Sequence, residues 1–179
     1  MNYQDVLDFW FNPETQPVWF AKSDAFDQLI QDKFSAVHTQ AAQAELWSWR
    51  KIAEGRLAEI IVLDQFSRNL FRDQAHAFAQ DTLALALAQE AISLDLDQQL
   101  SPEQRTFLYM PFMHSESKLI HEFALKLFQR LGNPLNLDYE KKHKIIIDRF
   151  GRYPHRNHIL ARRSTAEELE FLTQPNSSF

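Results

Sequence analysis

The 179-residue sequence contains no cysteine and only three glycines. Without cysteine the chain has no disulfide, no thiolate zinc ligand and no cysteine nucleophile. Three glycines are too few for the many tight turns of a sheet-rich fold. No apolar run approaches the ~20 residues of a membrane-spanning helix, and the N-terminus lacks the basic region and cleavage site of a signal peptide. We therefore expect a soluble, cytoplasmic protein with no membrane partner.

The signatures of several enzyme classes are also missing. The sequence has no GxSxG turn, no GxxxxGK[ST] loop, no GxGxxG turn and no HExxH helix. His114 and His121 lie seven residues apart, which is ~10.5 Å along a helix and too far for one metal ion. The sequence therefore predicts neither a cofactor nor a metal site, and it does not specify a reaction.

The residues that are present form an apolar, helical pattern. Hydrophobic residues make up 45% of the chain, including fifteen Phe, which excludes disorder. Apolar residues recur at three- and four-residue steps along nearly every segment. The predicted helices cover 3–11, a segment from Ser23, 55–71, 73–94, a segment from Ser101 that could run to Leu131 with a kink or break at Pro111, a segment ending at Gly151, and a short one capped by Ser164 or Thr165. With no linker in sight, this pattern predicts one all-α domain of antiparallel helical hairpins over residues 1–179.

Charge is distributed unevenly along the chain. The net charge is −5, yet residues 149–163 carry five arginines and no acid. The acidic remainder disfavours a nucleic-acid partner, which usually requires a basic face over a whole domain. Arginine in place of lysine favours bidentate pairing with a carboxylate or phosphate. The segment RFGRYPHRN, residues 149–157, therefore indicates a local anion site.

Two further segments place polar residues among apolar ones. On a helical projection, Asp64 and Arg68 share the apolar face of the 55–71 helix, at the i,i+4 spacing that allows them to pair. Glu116 falls on an apolar stripe that also holds Phe112, Leu119, Phe123 and Leu127. By contrast, His143 fits a hydrogen-bonded core histidine, and Arg162-Arg163 fits a solvated turn.

These motifs give the chain a resemblance to a known family. The stretches VLDFWF, LDQFSRNLFR at 63–72, PFMHSES at 111–117, RFGRYPHRN and RRSTAEELEFL at 162–172 resemble DUF924, a bacterial family of unknown function. The resemblance implies a tetratricopeptide-like helical fold and brings no activity, substrate or catalytic residue with it. Two positions depart from the family pattern: Ala161 stands where Gly is expected, and His121 stands where Gln is expected. The second departure makes His121 a weak functional candidate.

The first functional hypothesis is a small anionic ligand, phosphorylated or carboxylated, bound in an arginine-rich cleft. Three candidate acids (Asp64, Glu116, Asp148) are too few to neutralise the five arginines of the predicted cleft, so donors remain for such a ligand. These arginines are Arg68, Arg72, Arg149, Arg152 and Arg156. The predicted ligand-binding residues are Asp64, Gln65, Arg68, Asn69, Arg72, Arg149, Arg152, Tyr153, Arg156 and Asn157. If the protein is an enzyme, His114 or His155 is the expected proton carrier and Glu116 the assisting acid. We expect residues from both motifs to converge on one cleft: Asp64, Arg68, Arg72, Glu116, Arg152, His155 and Arg156.

The second hypothesis is a tetratricopeptide-like module that binds a protein or peptide partner. In this interpretation the arginines and acids form a buried structural ion-pair network. A homodimer, with the terminal NSSF segment docking on a second subunit, is left open.

Overall fold

The structure, a computed structural model, describes residues 1–178. Regular secondary structure in this range is helical and includes no strand, which confirms the all-α class. The helices are α1 (Tyr3–Trp10), α2 (Asp24–Ala42), α3 (Ala53–Ile61), α4 (Ser67–Leu70), α5 (Asp81–Ser93), α6 (Pro102–Met113), α7 (Lys118–Leu131), α8 (Pro134–Phe150) and α9 (Ala166–Phe171). Short 3₁₀ turns, such as Pro154–Arg156, occur in the connections.

Capping residues set the helix ends that the sequence predicts. The Ser23 hydroxyl accepts a hydrogen bond from the amide of Phe26 at the start of α2. Before α6, Ser101 and Gln104 exchange two hydrogen bonds in a capping box. Gly132 and Gly151 end α7 and α8 in the left-handed region, with φ of 76° and 69°.

The predicted helix over 73–94 is wrong in its first third. Asp73 has a φ of 61°, a left-handed conformation that an α-helix cannot continue through. Residues Ala75–Phe78 then form a 3₁₀ turn, and α5 begins only at Asp81. Local composition rich in Ala and Leu does not reveal this break.

The predicted helix from Ser101 to Leu131 is divided. Pro111 lies inside α6, which ends at Met113, and α7 begins at Lys118 behind a new cap, Ser117. Glu116 therefore lies in a loop and not on a helical stripe. The stripe itself is also wrong, because Leu119 and Phe123 on α7 are 65% and 50% exposed.

Between α3 and α4 the helix passes through a π-helical segment, Val62–Phe66. Such a segment lengthens the backbone hydrogen-bond step from i+4 to i+5 and leaves carbonyls near its end to find other donors. Here the Ser67 hydroxyl donates to the carbonyl of Leu63 at 2.6 Å, and the Arg68 guanidinium donates to the carbonyl of Asp64 at 2.5 Å. These side chains complete the hydrogen bonding of the π segment.

The chain divides into two compact units, and the single-domain interpretation stays a prediction. Unit 1 comprises Met1–Arg72 and His76–Pro111; unit 2 comprises Asp73–Ala75 and the chain from Phe112 onward. In unit 1, α1 packs on α3, α2 on α4 and the π segment, and α3 on α5. Its core includes an aromatic cluster in which the Trp10 ring lies 5.5 Å from each of Phe66 and Phe107.

Unit 2 is built on the pair α7 and α8. Its core contains Ile146 and Ile147 of α8, Tyr153 of the following loop, and Phe171 of α9. The Phe150 ring packs 5.0 Å from the Phe171 ring, which seats α9 against the end of α8. Tyr153 is fully buried, so the RFGRYPHRN segment contributes this side chain to the core.

Candidate functional site

Arg68 in unit 1 binds two carboxylates. Its guanidinium lies 3.2 Å from Asp64, which confirms the predicted i,i+4 pair, and bonds both oxygens of Asp81 at 3.1 and 3.2 Å. Asp64 is almost fully buried and also accepts a hydrogen bond from Gln65 at 2.6 Å. Asp81 was not among the predicted partners.

Arg72 forms a second bidentate pair, with Asp27 of α2. Its guanidinium bonds the two carboxylate oxygens at 2.5 and 2.7 Å, and Asn69 adds a hydrogen bond at 2.8 Å. Burial alone would favour the protonated acid, but the hydrogen bonds from Arg72 and Asn69 outweigh it and lower the pKa of Asp27. Asp27 therefore stays ionised and holds the end of α4 to α2.

A serine–histidine pair in unit 1 has the wrong polarity for a nucleophile. His38 Nε2 lies 2.8 Å from the Ser67 hydroxyl, but that hydroxyl donates its own proton to the carbonyl of Leu63. His38 must then be the donor, whereas an activating base would accept the serine proton. Burial also lowers the pKa of His38, which keeps the ring neutral.

In unit 2, Glu116 is bound by Arg162. The guanidinium contacts both carboxylate oxygens at 2.5 and 2.8 Å, and the backbone amide of Tyr153 donates to the same carboxylate at 2.7 Å. Burial would raise the pKa of Glu116, but these donors, with Arg156 nearby, lower it. The prediction that Arg162 belongs to a solvated turn is therefore wrong, because its side chain binds a carboxylate 46 residues earlier in the chain.

The other arginines of the segment also have carboxylate partners. Arg152 bonds both oxygens of Glu168 at 2.6 and 2.8 Å, and Arg149 bonds Glu167 at 2.8 Å in an exposed pair. The hydrogen bonds from Arg152 lower the pKa of Glu168 to about 2. The sequence count of three acids thus missed four carboxylates, those of Asp27, Asp81, Glu167 and Glu168.

Tyr153 is the centre of a second group of side chains. The Arg156 guanidinium lies 4.6 Å from the Tyr153 ring centroid, and the rings of His155 and His143 lie 5.5 and 5.7 Å from it. Arg156 is 6% exposed, so its charge acts within the protein and not in solvent. This group of four side chains is called the Tyr153 cluster below.

The two histidines of the Tyr153 cluster are neutral at physiological pH. Burial lowers the pKa of His143 to about 3, and its Nδ1–H donates to the carbonyl of Tyr139, as expected of a core histidine. For His155, burial and then the charge of Arg156 lower the pKa to about 4. A hydrogen bond between His155 and the backbone of Ser177 raises the pKa of His155, so the backbone atom that accepts it is the carbonyl oxygen. The other ring nitrogen, Nδ1, is buried and has no hydrogen-bond partner among residues 1–178.

Sequence reasoning missed a buried pair in unit 2, His121 and Glu140. Both side chains have zero exposure, and His121 Nδ1 lies 2.8 Å from Glu140 Oε1. Glu140 sits in the middle of α8, and only its position one turn before His143 could have drawn attention to it. His114, the predicted proton carrier, lies in the turn after α6, where its charge acts on His143.

The predicted site residues fall into two sets, one in each unit. Unit 1 holds Asp64, Gln65, Arg68, Asn69 and Arg72; unit 2 holds His114, Glu116, Arg149, Arg152, Tyr153, His155, Arg156 and Asn157. Within unit 2, Asn157 is fully buried and accepts a hydrogen bond from Arg162 at 3.0 Å, which is a structural role. The single cleft that would join both sets stays a prediction.

The two units differ in net charge. Unit 2 has eleven Lys and Arg against nine Asp and Glu, a net of +2, whereas unit 1 has eight against fifteen, a net of −7. In the described range, 1–178, no three His, Asp or Glu side chains are placed to hold a metal ion. No helix in that range has both the length and the apolar character to cross a bilayer.

Comparison with known proteins identifies the family and the fold. The family model of DUF924, described as a bacterial protein of unknown function, matches residues 6–176. A solved structure, that of the protein of unknown function ATU0120 from Agrobacterium tumefaciens, is similar with a TM-score of 0.90 and 43% identity, over 95% of this chain and 96% of that one. No curated protein matches the sequence. Because the family model spans nearly the whole chain, the protein belongs to the DUF924 family.

Proposed function

We propose that the protein binds a small anion, phosphorylated or carboxylated, at the Tyr153 cluster of unit 2. The observation that supports this proposal is the position of His155 beside Arg156 on the Tyr153 ring. Burial and the positive charge of Arg156 both oppose protonation of His155. An anion bound there would be favoured by the same positive potential that keeps the histidine neutral.

The hydrogen-bonding state of His155 narrows the chemistry of the ligand. Because Nε2–H donates toward Ser177, the buried Nδ1 atom presents a lone pair. A ligand that carries both negative charge and a hydrogen-bond donor complements Nδ1 together with Arg156. A hydrogen phosphate, a phosphate monoester or a hydroxy acid meets both conditions. His155, with a pKa of about 4, is neutral, and it becomes an effective base for a bound ligand only if the negative charge of that ligand raises this pKa toward physiological pH.

The role of the other arginines is revised. The sequence predicted that Arg68 and Arg152 bind the ligand together with Arg156, but each of those two already holds a carboxylate in two hydrogen bonds. We assign the leading contact to Arg156 because its guanidinium lies 4.6 Å from the Tyr153 ring centroid, on the same ring as His155. Arg152→Ala should destabilise the fold by leaving Glu168 without its guanidinium partner, so this variant does not test ligand binding.

A thermal-shift screen tests this proposal. Phosphate, sulfate, dicarboxylates, nucleotides and sugar phosphates are each added to the wild-type protein. A ligand at a hundredfold excess over its Kd adds ~2.7 kcal/mol of stability, at roughly 2–4 °C per kcal/mol for a protein of this size. Arg156→Lys keeps the charge but loses the planar fork, and should weaken any shift; Arg163→Lys, at an exposed position seven residues later, should not. If no anion shifts the wild type, the proposal fails.

A second candidate is a tetratricopeptide-like module for a protein or peptide partner, with the arginines as structural elements. Two observations favour it: Arg68, Arg72, Arg152 and Arg162 each hold a carboxylate in two bonds, and Leu119 and Phe123 are exposed one turn apart on α7. Recovery of a stoichiometric partner by the wild type and its loss in Leu119→Ser/Phe123→Ser would support the module. An unchanged partner in that variant would contradict this surface.

A further inference from the structure

The hydrogen bonds around His121 fix the position of its protons. Nε2 lies 2.9 Å from the carbonyl of Ser115, which can only accept, and 3.2 Å from the Tyr153 hydroxyl. That hydroxyl donates its proton to the carbonyl of Met113 at 2.5 Å, so it is an acceptor toward the histidine. Nε2 must therefore carry a hydrogen.

With Nε2 protonated, the other side of the ring requires a second proton. A neutral ring would present an Nδ1 lone pair to Glu140 Oε1, and an ionised carboxylate would present another, at a separation of only 2.8 Å. A proton must lie between the two atoms, and the pair is then neutral as a whole. Burial raises the pKa of Glu140 against the opposing hydrogen bond from His121. Its other oxygen, Oε2, is buried with no hydrogen-bond partner among residues 1–178.

We propose that the shared proton of His121 and Glu140 is a latch that fixes the turn from His114 to Ser117. While the pair holds the proton, the ring of His121 holds the Ser115 carbonyl, and Tyr153 holds that of Met113. When the proton is lost, the Nδ1 lone pair and a buried carboxylate repel each other and the ring leaves this position. The turn carries Glu116, which binds the amide of Tyr153.

The latch would regulate anion binding at the Tyr153 cluster. Only this regulatory part of the inference rests on the proposed function. Lys144 and Asp148 of α8 act on Glu140, and His143 and Tyr153 interact with His121; His114 and Arg156 act on His143 and so lie one step further from the pair. The positive charge of Lys144 favours loss of the proton, but less than an unpaired charge would, because Lys144 is paired with Glu122 and Asp148. Among residues 1–178, the cation with the strongest effect on the buried carboxylate is therefore the protonated histidine.

Proton counting gives the expected pH dependence. In an unfolded chain histidine loses its proton at a pKa of ~6.5 and glutamate at ~4.3. Above pH ~6.5 the folded pair binds one proton more than the unfolded pair, so its contribution to stability falls as pH rises. The unfolding constant should increase tenfold per pH unit until the folded pair loses its proton. Between pH ~4.3 and ~6.5 both states bind one proton, and the contribution is constant.

Glu140→Gln removes the titrating proton but keeps a hydrogen bond to His121. The glutamine amide can donate a fixed hydrogen to His121 Nδ1, so the bond is kept and the titration is removed. Urea unfolding of wild type and Glu140→Gln between pH 6 and 9 should differ in slope by one proton. Glu170→Gln, an exposed substitution on α9, should match the wild type. Equal slopes for wild type and Glu140→Gln overturn the latch.

A second measurement keeps the inference testable if Glu140→Gln does not fold. Long-range ¹H–¹⁵N NMR of the wild-type histidine rings between pH 5.5 and 8 should show His121 protonated at Nε2 and hydrogen-bonded to Glu140 at Nδ1; exposed His158 is the reference signal. If Nδ1 of His121 carries no proton and makes no hydrogen bond at pH 7, the proposal is wrong. The regulatory part is tested with inorganic phosphate, whose affinity should fall more steeply with rising pH in the wild type than in Glu140→Gln, because the titration of phosphate itself is common to both proteins. If phosphate and the other anions fail to bind wild type at any pH, the proposed function fails while the urea and NMR results still decide the latch.

Discussion

The backbone amide of Tyr153 donates a 2.7 Å hydrogen bond to the carboxylate of Glu116, 37 residues earlier in the chain. This bond joins the PFMHSES and RFGRYPHRN motifs within unit 2. Arg162 binds the same carboxylate through two nitrogens and also donates to the carbonyl of Tyr153 at 3.2 Å. Glu116 is therefore held by backbone and guanidinium together, and its charge is needed for the loop to keep its shape.

Glu116→Gln tests that conclusion. The amide oxygen can still accept from Tyr153, but one of its two positions becomes a donor that faces Arg162. We expect a loss of about 1–3 kcal/mol in the free energy of unfolding, because a charged hydrogen bond is removed and guanidinium donors lose an acceptor. Urea unfolding measures it, with Glu122→Gln on the exposed side of α7 as the control. A change as small as the control's would mean that the pair is energetically equivalent to a surface ion pair.

Tyr153→Phe isolates the hydroxyl at the centre of unit 2. The ring packing is kept, but the carbonyl of Met113 loses its donor in a buried position. A loss of about 1–3 kcal/mol in stability is expected for an unsatisfied buried acceptor. Tyr139→Phe removes a hydroxyl from an exposed ring on α8 and should change stability by less than about 0.5 kcal/mol. Equal effects of the two substitutions would contradict the structural role of the Tyr153 hydroxyl.

Ala161→Gly should stabilise the protein. Ala161 has a φ of 52°, a left-handed conformation that disfavours any residue with a Cβ atom, and it stands where the family resemblance predicts Gly. Relief of this strain exceeds the entropy that glycine adds to the unfolded chain, and a net gain of about 0.5–1 kcal/mol is expected. The melting temperature would rise accordingly. Ala166→Gly, in the first turn of helix α9, is the opposite case and should lower it; a fall for both would show that no strain is stored at Ala161.

His143→Asn should reduce the loss of stability in mild acid. The folded-state pKa of His143 is lowered to about 3, so its contribution to stability is present above the ordinary histidine pKa of ~6.5 and is lost as pH falls toward 3. Between these values the unfolded chain binds a proton that the folded protein does not, at about 1.4 kcal/mol per pH unit. Asn can keep the hydrogen bond to the carbonyl of Tyr139 but does not titrate. Stability from pH 6.5 to 4.5 should fall less steeply in the variant than in the wild type; identical slopes would show that His143 is protonated in the fold.

Local signals in the sequence were sufficient for most helix ends. The caps at Ser23, Ser101 and Thr165, and the left-handed glycines Gly132 and Gly151, act on backbone groups within four residues. The identity of one residue and its neighbours decides such a contact. Breaks without a cap signal, such as left-handed Asp73, could not be predicted in the same way.

The sequence did not reveal the carboxylate partners of the arginines, because the position of each carboxylate already had a local explanation. Asp27, Asp81 and Glu168 all lie in the first turn of a helix, where an acid is favoured by the helix dipole alone. Their positions therefore gave no sign of a distant guanidinium. Arg162 and Glu140 were missed for a related reason, because pairing over 46 and 19 residues depends on tertiary packing and not on spacing along one helix.

The ion pairs of Arg68 and Arg72 in unit 1 depend on the number of residues in the π segment Val62–Phe66. Because it fits one more residue into a turn than an α-helix does, every residue after it is re-aimed by the angular step of one residue, ~100°. Deleting a single residue here would leave a regular helix with an acceptable hydrophobic sequence. It would also turn Arg68 and Arg72 away from Asp81 and Asp27, whose contacts depend on that angle. A surface loop would tolerate the deletion of one residue. In the π segment the same deletion would break both ion pairs.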